Sequence, residues 1–332
     1  MNPLEKARLG KSNLLVTRLG LGGGGLAGLY VDVPEEDAIN TVRRALALGI
    51  NFLDTAPEYG HGKSEIRIGR ALSAQPRESY ILCTKVGKLL EVEAPEKVKS
   101  PEFANPFPFR LVFDFSYEGV MRSVEDSLKR LSVERVDLLY IHDPDEHYDE
   151  AIKGAYRALR KLRQEGVVSA IGVGMNQAEM LGRFAREGEF DCFLLAGRYT
   201  LIDQTGFKEL LPLCLQKGID IVIGGPFNSG ILATGAIPRA KFDYTDASPE
   251  LLERVRQVES VCARYSTPLR AAALQFPLSH PAVVTVIPGA RSAAEVEENY
   301  RLMEFPIPAQ FWAELRRNKF LPEDAPVPGE TD

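Results

Sequence analysis

The sequence predicts a single α/β domain over residues 1–332, a (β/α)8 TIM barrel with an N-terminal hairpin and two long loops at its C-terminal face. Three observations carry this. Short apolar runs alternate with amphipathic helical stretches along nearly the whole chain. Several of those runs end in a polar residue or a glycine-rich loop, and in a parallel barrel every strand C-terminus opens on the face that carries chemistry. At 332 residues the chain is long for an ordinary domain and normal for one barrel with insertions.

Residues 1–18 read as short alternating pieces around Gly10-Lys11-Ser12-Asn13, a hairpin closing the barrel floor. The first strand is expected at 19–21 and runs into Gly22-Gly23-Gly24-Gly25, where backbone can approach a ligand closely. Residues 35–48 form a helix with Ala38, Val42, Ala45 and Leu46 on one face, ended by Gly49. Asn51-Phe52-Leu53 leads to Asp54, and Ala56-Pro57 and Gly60 punctuate the loop that carries Tyr59. A helix follows over 63–72, then a third strand over 80–85 ending in Lys85.

Residues 86–115 show no clear periodicity. They are proline-rich and aromatic (Phe103, Phe107, Phe109, Phe113, Phe115), which suits a loop covering a substrate. Ser116 caps a helix over 116–131, and the run 136–141 ends in His142. A helix over 152–165, a strand at 170–173, another at 193–196, a helix at 210–217 and a seventh strand at 219–223 continue the alternation. The second long loop runs from Gly224 to about Ser248. Helices at 249–265 and 268–279, an eighth strand at 283–287 and a helix starting at Ala293 complete the barrel, and the tail 319–332 is expected to be flexible.

Composition narrows the function. Apolar residues make up 45% and charged residues 26%, as in a soluble globular protein, and the net charge of −6 argues against nucleic acid. No signal peptide is visible and no apolar run reaches the roughly 18 residues that span a bilayer, so no membrane partner is expected. Cys83, Cys192, Cys214 and Cys262 lack pairing or metal spacing, which fits a reducing cytoplasm. His142, Asp143, Asp145 and His147 are ligand types, but Pro144 and irregular spacing argue against a metal, and none is expected. Oligomeric state is not legible.

Asp54, Tyr59, Lys85 and His142 are therefore placed at one mouth. A phenol titrates near ~10, and a neighbouring ammonium directed by a carboxylate lowers that value. An imidazole orients the substrate oxygen. Tyrosine then serves as general acid or base opposite a hydride carrier. That is carbonyl or alcohol redox chemistry.

The order Asp54, Tyr59-Gly60, Lys85, His142 resembles the aldo-keto reductase superfamily over most of the chain, from Leu19 to about Trp312. The resemblance implies those four as the catalytic tetrad and a nicotinamide dinucleotide lying along the loops after strands seven and eight. It implies pyrophosphate-side contacts from Gly225, Phe227 and Ser229, with Gly289, Ala290 and Arg291 in the loop after strand eight, and adenine contacts from Glu298 and Asn299. Gly23 and Asn176 are further cofactor candidates; Tyr30, Phe115 and His142 are the substrate candidates. Where NADP-selective members carry a lysine and an arginine, this chain has Gly289 and Glu295. Glu295 would repel a 2′-phosphate, so NAD is the preferred cofactor, while Arg291 leaves NADP open. The family's nicotinamide-stacking tyrosine matches Gly224 and its carboxamide-binding glutamine matches Ala196.

Phrases such as FDFSYEGVMRSVEDSLKRL and VIGGPFNSGIL resemble the branch of bacterial D-threo-aldose 1-dehydrogenases and L-fucose dehydrogenases, which includes pyridoxal 4-dehydrogenase. That implies oxidation of an aldose C1 hemiacetal hydroxyl to the lactone with NAD(P). The alternatives are pyridoxal itself as substrate, a general NADPH-dependent aldehyde reductase, and a non-catalytic cofactor-sensing protein.

Overall fold

Eight parallel strands pair in chain order to form one sheet: Leu21–Gly22, Phe52–Asp54, Ile81–Val86, Leu138–His142, Ala170–Met175, Cys192–Ala196, Asp220–Gly224 and Val283–Ile287. Bridges from Leu19 to Val286 and from Gly22 to Gly289 join the first strand to the last and close the barrel. The computed structural model describes residues 1–330. Among them no helix is long and apolar enough to cross a membrane.

The strands are buried on both faces, so their side chains alternate between two apolar layers. Leu53, Leu82, Leu139 and Ile141 point outward and join the layer beneath the helices. Phe52, Cys83, Leu138, Tyr140, Cys192 and Val222 fill the interior. The N-terminal hairpin, Lys6–Arg8 with Leu15–Thr17, plugs the floor with Leu9 and Val16. With period two, the inward positions one step above Phe52, Cys83 and Tyr140 are Asp54, Lys85 and His142. The barrel core therefore aims three polar side chains at its open end.

The helical layer begins with Glu35–Ala47 and Lys63–Leu72. Ser116 caps Tyr117–Leu131, its hydroxyl accepting from Gly119 N. The helix expected at 152–165 starts earlier, at Tyr148, and passes through a π-turn at Ala151–Ala155 before Tyr156–Gln164. There Gly154 lies so close to Phe115 that an added Cβ would sit 2.4 Å from its carbonyl oxygen. A further helix, Ala178–Glu187, joins the fifth and sixth strands.

Three segments differ from expectation. Residues 86–115 contain a hairpin, Lys88–Val92 paired antiparallel with Phe109–Phe113. Its strands are half-buried and lack the apolar alternation that marks a strand in sequence. The loop after the seventh strand carries a short helix, Ile231–Thr234, and a two-residue ribbon, Lys241–Phe242 with Thr245–Asp246. The segment from 319, expected to be flexible, is packed over its described residues. Phe320, Leu321, Ala325 and Val327 are buried, and Arg316 pairs with Glu330 at 2.6 Å. Proline and acid content suggested mobility, but four apolar side chains anchor the segment. Residues 331 and 332 lie outside the described range.

Candidate active site

Lys85 is the centre of the open end. Its Nζ donates to Asp54 Oδ2 at 2.8 Å, to the Thr55 carbonyl at 2.8 Å and to Tyr59 Oη at 3.0 Å. Lys85 and Asp54 are 1% and 2% exposed, so the pair is a buried one that loss of either partner would leave uncompensated. Pro57 and Gly60 turn the loop after the second strand so that Tyr59 returns over the barrel axis. The His142 ring meets the Tyr59 ring edge-on, centroids 5.9 Å apart.

The surroundings of the tyrosine, burial first, run against one expectation. Lys85 was expected to acidify Tyr59. Instead burial first, then Asp54, Asp143, Glu58 and Glu102, hold the phenol well above its ordinary value. The Lys85 ammonium is matched by Asp54, so it does not offset the burial of the phenol. Asp54 is itself raised by burial, against the pull of Lys85. His142 is pushed well below an ordinary histidine by burial, then by Lys88 and Lys85, so it is neutral at physiological pH.

These carboxylates form a rim that the sequence reading missed. Lys88 is 4% exposed, and its Nζ bridges Glu58 Oε2 at 2.7 Å and Asp143 Oδ2 at 2.8 Å. His142 Nε2 lies 3.3 Å from the same Asp143 oxygen and 3.6 Å from Glu58 Oε2. Glu58, His142 and Asp143 bring ligand-type atoms within 4.8 Å of one another, and the two carboxylates share the Lys88 ammonium. Lys88 sits three residues beyond Lys85, and Asp143 directly follows His142. Proximity to strand-end residues was the available signal. His147, another ligand type in that run, turns away and stacks on Phe113 at 5.4 Å.

A cavity of about 400 Å³ opens above these groups. Phe103 lines it beside Tyr59, ring centroids 5.9 Å apart, and Tyr244 reaches it from the loop after strand seven. Phe115, a substrate candidate, is fully buried beneath the hairpin against Phe113 and His147. The aromatic at the mouth is Phe103. Tyr30, another candidate, is absent from the cavity lining and donates its amide N–H to the Glu102 carbonyl at 2.8 Å, whereas His142 lines the cavity.

The cavity continues into a groove of bare backbone. Gly22 to Gly25, Asn176, Ala196, Gly224, Gly225 and Gly289 line it. A Cβ at Gly225 or Gly289 would meet no protein atom nearer than 3.7 Å, so glycine there keeps the groove open for a flat, extended ligand. Ala290 is buried against Gly25. Ser229 lies farther along, its Oγ accepting from Tyr244 N at 3.1 Å. Arg270, not foreseen, pairs with Glu298 at 2.6 Å and donates to Asn299 Oδ1 at 3.2 Å, while its guanidinium lies 5.5 Å from the Phe227 ring centroid. Glu295 folds back on Arg291, accepting from its side chain at 2.9 Å and its backbone N–H at 2.8 Å. Glycine backbone along the groove lets an extended, phosphate-bearing ligand approach closely, which fits a dinucleotide.

Comparisons with known proteins place this closed parallel barrel, with its buried lysine–carboxylate pair under a tyrosine, in a family of barrel oxidoreductases. Residues 18–318 match the Aldo/keto reductase family, and the chain belongs to it. It is 41% identical to a pyridoxal 4-dehydrogenase from Microbacterium luteolum and 37% identical to a D-threo-aldose 1-dehydrogenase from Pseudomonas sp, in each case over 94% of this chain and 96% of the other. An aldo-keto reductase from Bacillus halodurans in its holo form superposes with a TM-score of 0.75 at 27% identity, covering 98% of this chain and 99% of that one.

Proposed function

We propose that the protein is a nicotinamide-dependent aldose 1-dehydrogenase that oxidises the C1 hemiacetal hydroxyl of an L-fucose, D-threo-aldose or L-galactose type sugar to the lactone. The observation that carries this is the Tyr59–Lys85–Asp54 chain of contacts beneath an open cavity whose rim is rich in carboxylates. Carboxylate oxygens are strong acceptors for sugar hydroxyls. Similarity to a D-threo-aldose 1-dehydrogenase supports the same substrate class.

A nicotinamide dinucleotide would be held along the glycine groove and would supply the hydride acceptor. In its phenolate form Tyr59 takes the C1 hydroxyl proton on Oη, and Lys85 stabilises that phenolate by the hydrogen bond it already makes. Neutral His142 donates Nε2–H to the same substrate oxygen and fixes its orientation. Because the phenol is held above its ordinary value, oxidation accelerates as pH rises, and the reverse reduction uses Tyr59 as donor. NAD is the proposed cofactor, since Arg291 is engaged by Glu295 and not free for a 2′-phosphate. We place the enzyme in the cytoplasm, its four cysteines being free and buried.

Pyridoxal is the second reading. It rests on the 41% identity to a pyridoxal 4-dehydrogenase and on the acidic rim, which suits a protonated pyridine. NAD reduction with L-fucose, L-galactose, D-arabinose and pyridoxal separates the two; consumption of NADPH with simple aldehydes alone would replace both by a general reductase.

A further inference from the structure

Lys88 has no part in the reaction just described, yet it is one of the most buried charges in the protein. It begins the hairpin that follows the third strand, and the chain folds it back over the barrel mouth between a carboxylate from the loop after strand two and one from the end of strand four. Exposed lysines rarely contribute more than a fraction of a kcal/mol. A lysine 4% exposed, with two carboxylate partners below 2.9 Å, is different: removing it strands two negative charges beside the reacting groups.

We propose that Lys88 is a positioning residue for the proton relay, bridging Glu58 and Asp143 so that their oxygens face His142 and their charge beside Tyr59 is offset. Three observations converge on this. The Asp143 oxygen that receives Lys88 is the one 3.3 Å from His142 Nε2, and Glu58 Oε2 is shared in the same way at 3.6 Å. A carboxylate facing Nε2 favours the tautomer with its proton there, and Lys88, by occupying the same two oxygens, weakens their claim on that proton and leaves it for the substrate oxygen. Asp143 also has φ +41°, a left-handed backbone uncommon outside glycine, which turns its carboxylate back toward Lys88. Burial works against the Lys88 charge, but Asp143 and Glu58 outweigh it and keep the amine protonated.

The consequence is a charge balance. Facing Tyr59 are Asp54 and Lys85 from strands two and three, Glu58 on its own loop, and Glu102 from the insertion. His142 and Asp143 face it from strand four, and Tyr244 from the loop after strand seven. Lys85 is matched by Asp54, so Lys88 is the cation that answers Glu58 and Asp143. Without it both Tyr59 and His142 hold their protons more tightly. The phenolate needed for oxidation then forms only at higher pH, and His142 becomes chargeable.

This rests on the reading of Tyr59 as the proton-transfer group, and the experiment separates the two. Oxidation by NAD of whichever of L-fucose, D-arabinose or pyridoxal is turned over is followed against pH for wild type, Lys88→Met, Lys88→Arg and Lys88→Met/Glu58→Gln. The alkaline-rising limb moves upward by about one pH unit or more in Lys88→Met. It returns toward wild type in Lys88→Arg and part of the way in the double variant, which removes one of the two stranded charges. Ring 15N shifts of His142, assigned with His142→Gln, show its titration moving up in Lys88→Met, a readout that needs no turnover. A uniform loss of rate at every pH, with neither limb nor His142 titration moved, overturns the proposal. Activity surviving in Tyr59→Phe would instead remove the functional reading itself.

Discussion

Lys85 and Asp54 form a buried ion pair, Nζ to Oδ2 2.8 Å, and the same ammonium donates to Tyr59 at 3.0 Å. In the proposed function one lysine serves stability and chemistry together, and mutation separates the two roles.

Lys85→Met leaves the Asp54 carboxylate buried without its cation, and Asp54 Oδ1 already has no protein partner. The expected loss is on the order of 3–5 kcal/mol of unfolding free energy. Adding Asp54→Asn to that variant recovers most of the stability and none of the turnover, as denaturant titration and a rate assay would show. A double variant no more stable than the single one contradicts the pair.

Tyr59→Phe removes the proton relay and nothing else, because the hydroxyl's partner is Lys85 alone. Turnover falls by about 10²–10⁴-fold. Cofactor affinity, measured by fluorescence titration, stays within a small factor of wild type.

Glu295→Arg breaks the clasp on Arg291 and puts two guanidiniums where one was neutralised. The ratio of kcat/KM for NADP over NAD rises by roughly tenfold or more, through charge-assisted contacts to the 2′-phosphate. An unchanged ratio places Glu295 away from the ribose.

His280 gives a pH dependence of stability unconnected with catalysis. Burial pushes it down to about 4. The unfolded chain takes up a proton near pH ~6.5 that the folded protein refuses until about 4. Its depressed folded value therefore contributes stability that is present above 6.5 and lost as pH falls between those values. His142 acts in the same direction. In His280→Gln the urea midpoint declines less steeply from pH 7 to pH 5 than in wild type; an identical slope would show that His280 titrates normally.

Much of this architecture is legible in the chain. Strand ends at Asp54, Lys85 and His142 follow from apolar runs that stop at a polar residue, and the two-residue period aims all three inward. What escaped has a common cause. The hairpin of Lys88–Val92 and Phe109–Phe113 joins partners across a long insertion, so nothing local announces it. With it went the position of Lys88, the burial of Phe115 and the promotion of Phe103 to the mouth. Arg270 lies on a helix far from the loops where a cofactor contact is sought, and Glu298 reveals it only once the helices are packed. The elevated Tyr59 was invisible for the same reason: Glu58 and Asp143 flank the tetrad in sequence, but their effect depends on distance.

The measurement nearest the central claim is NADH formation, followed by absorbance, with purified protein and L-fucose, L-galactose, D-arabinose, pyridoxal and simple alcohols across a pH series, in wild type and Tyr59→Phe. A lactone-forming sugar oxidation whose rate climbs with pH and vanishes in Tyr59→Phe is the predicted result. No NAD reduction with any sugar or with pyridoxal, or activity that survives loss of the Tyr59 hydroxyl, would contradict it.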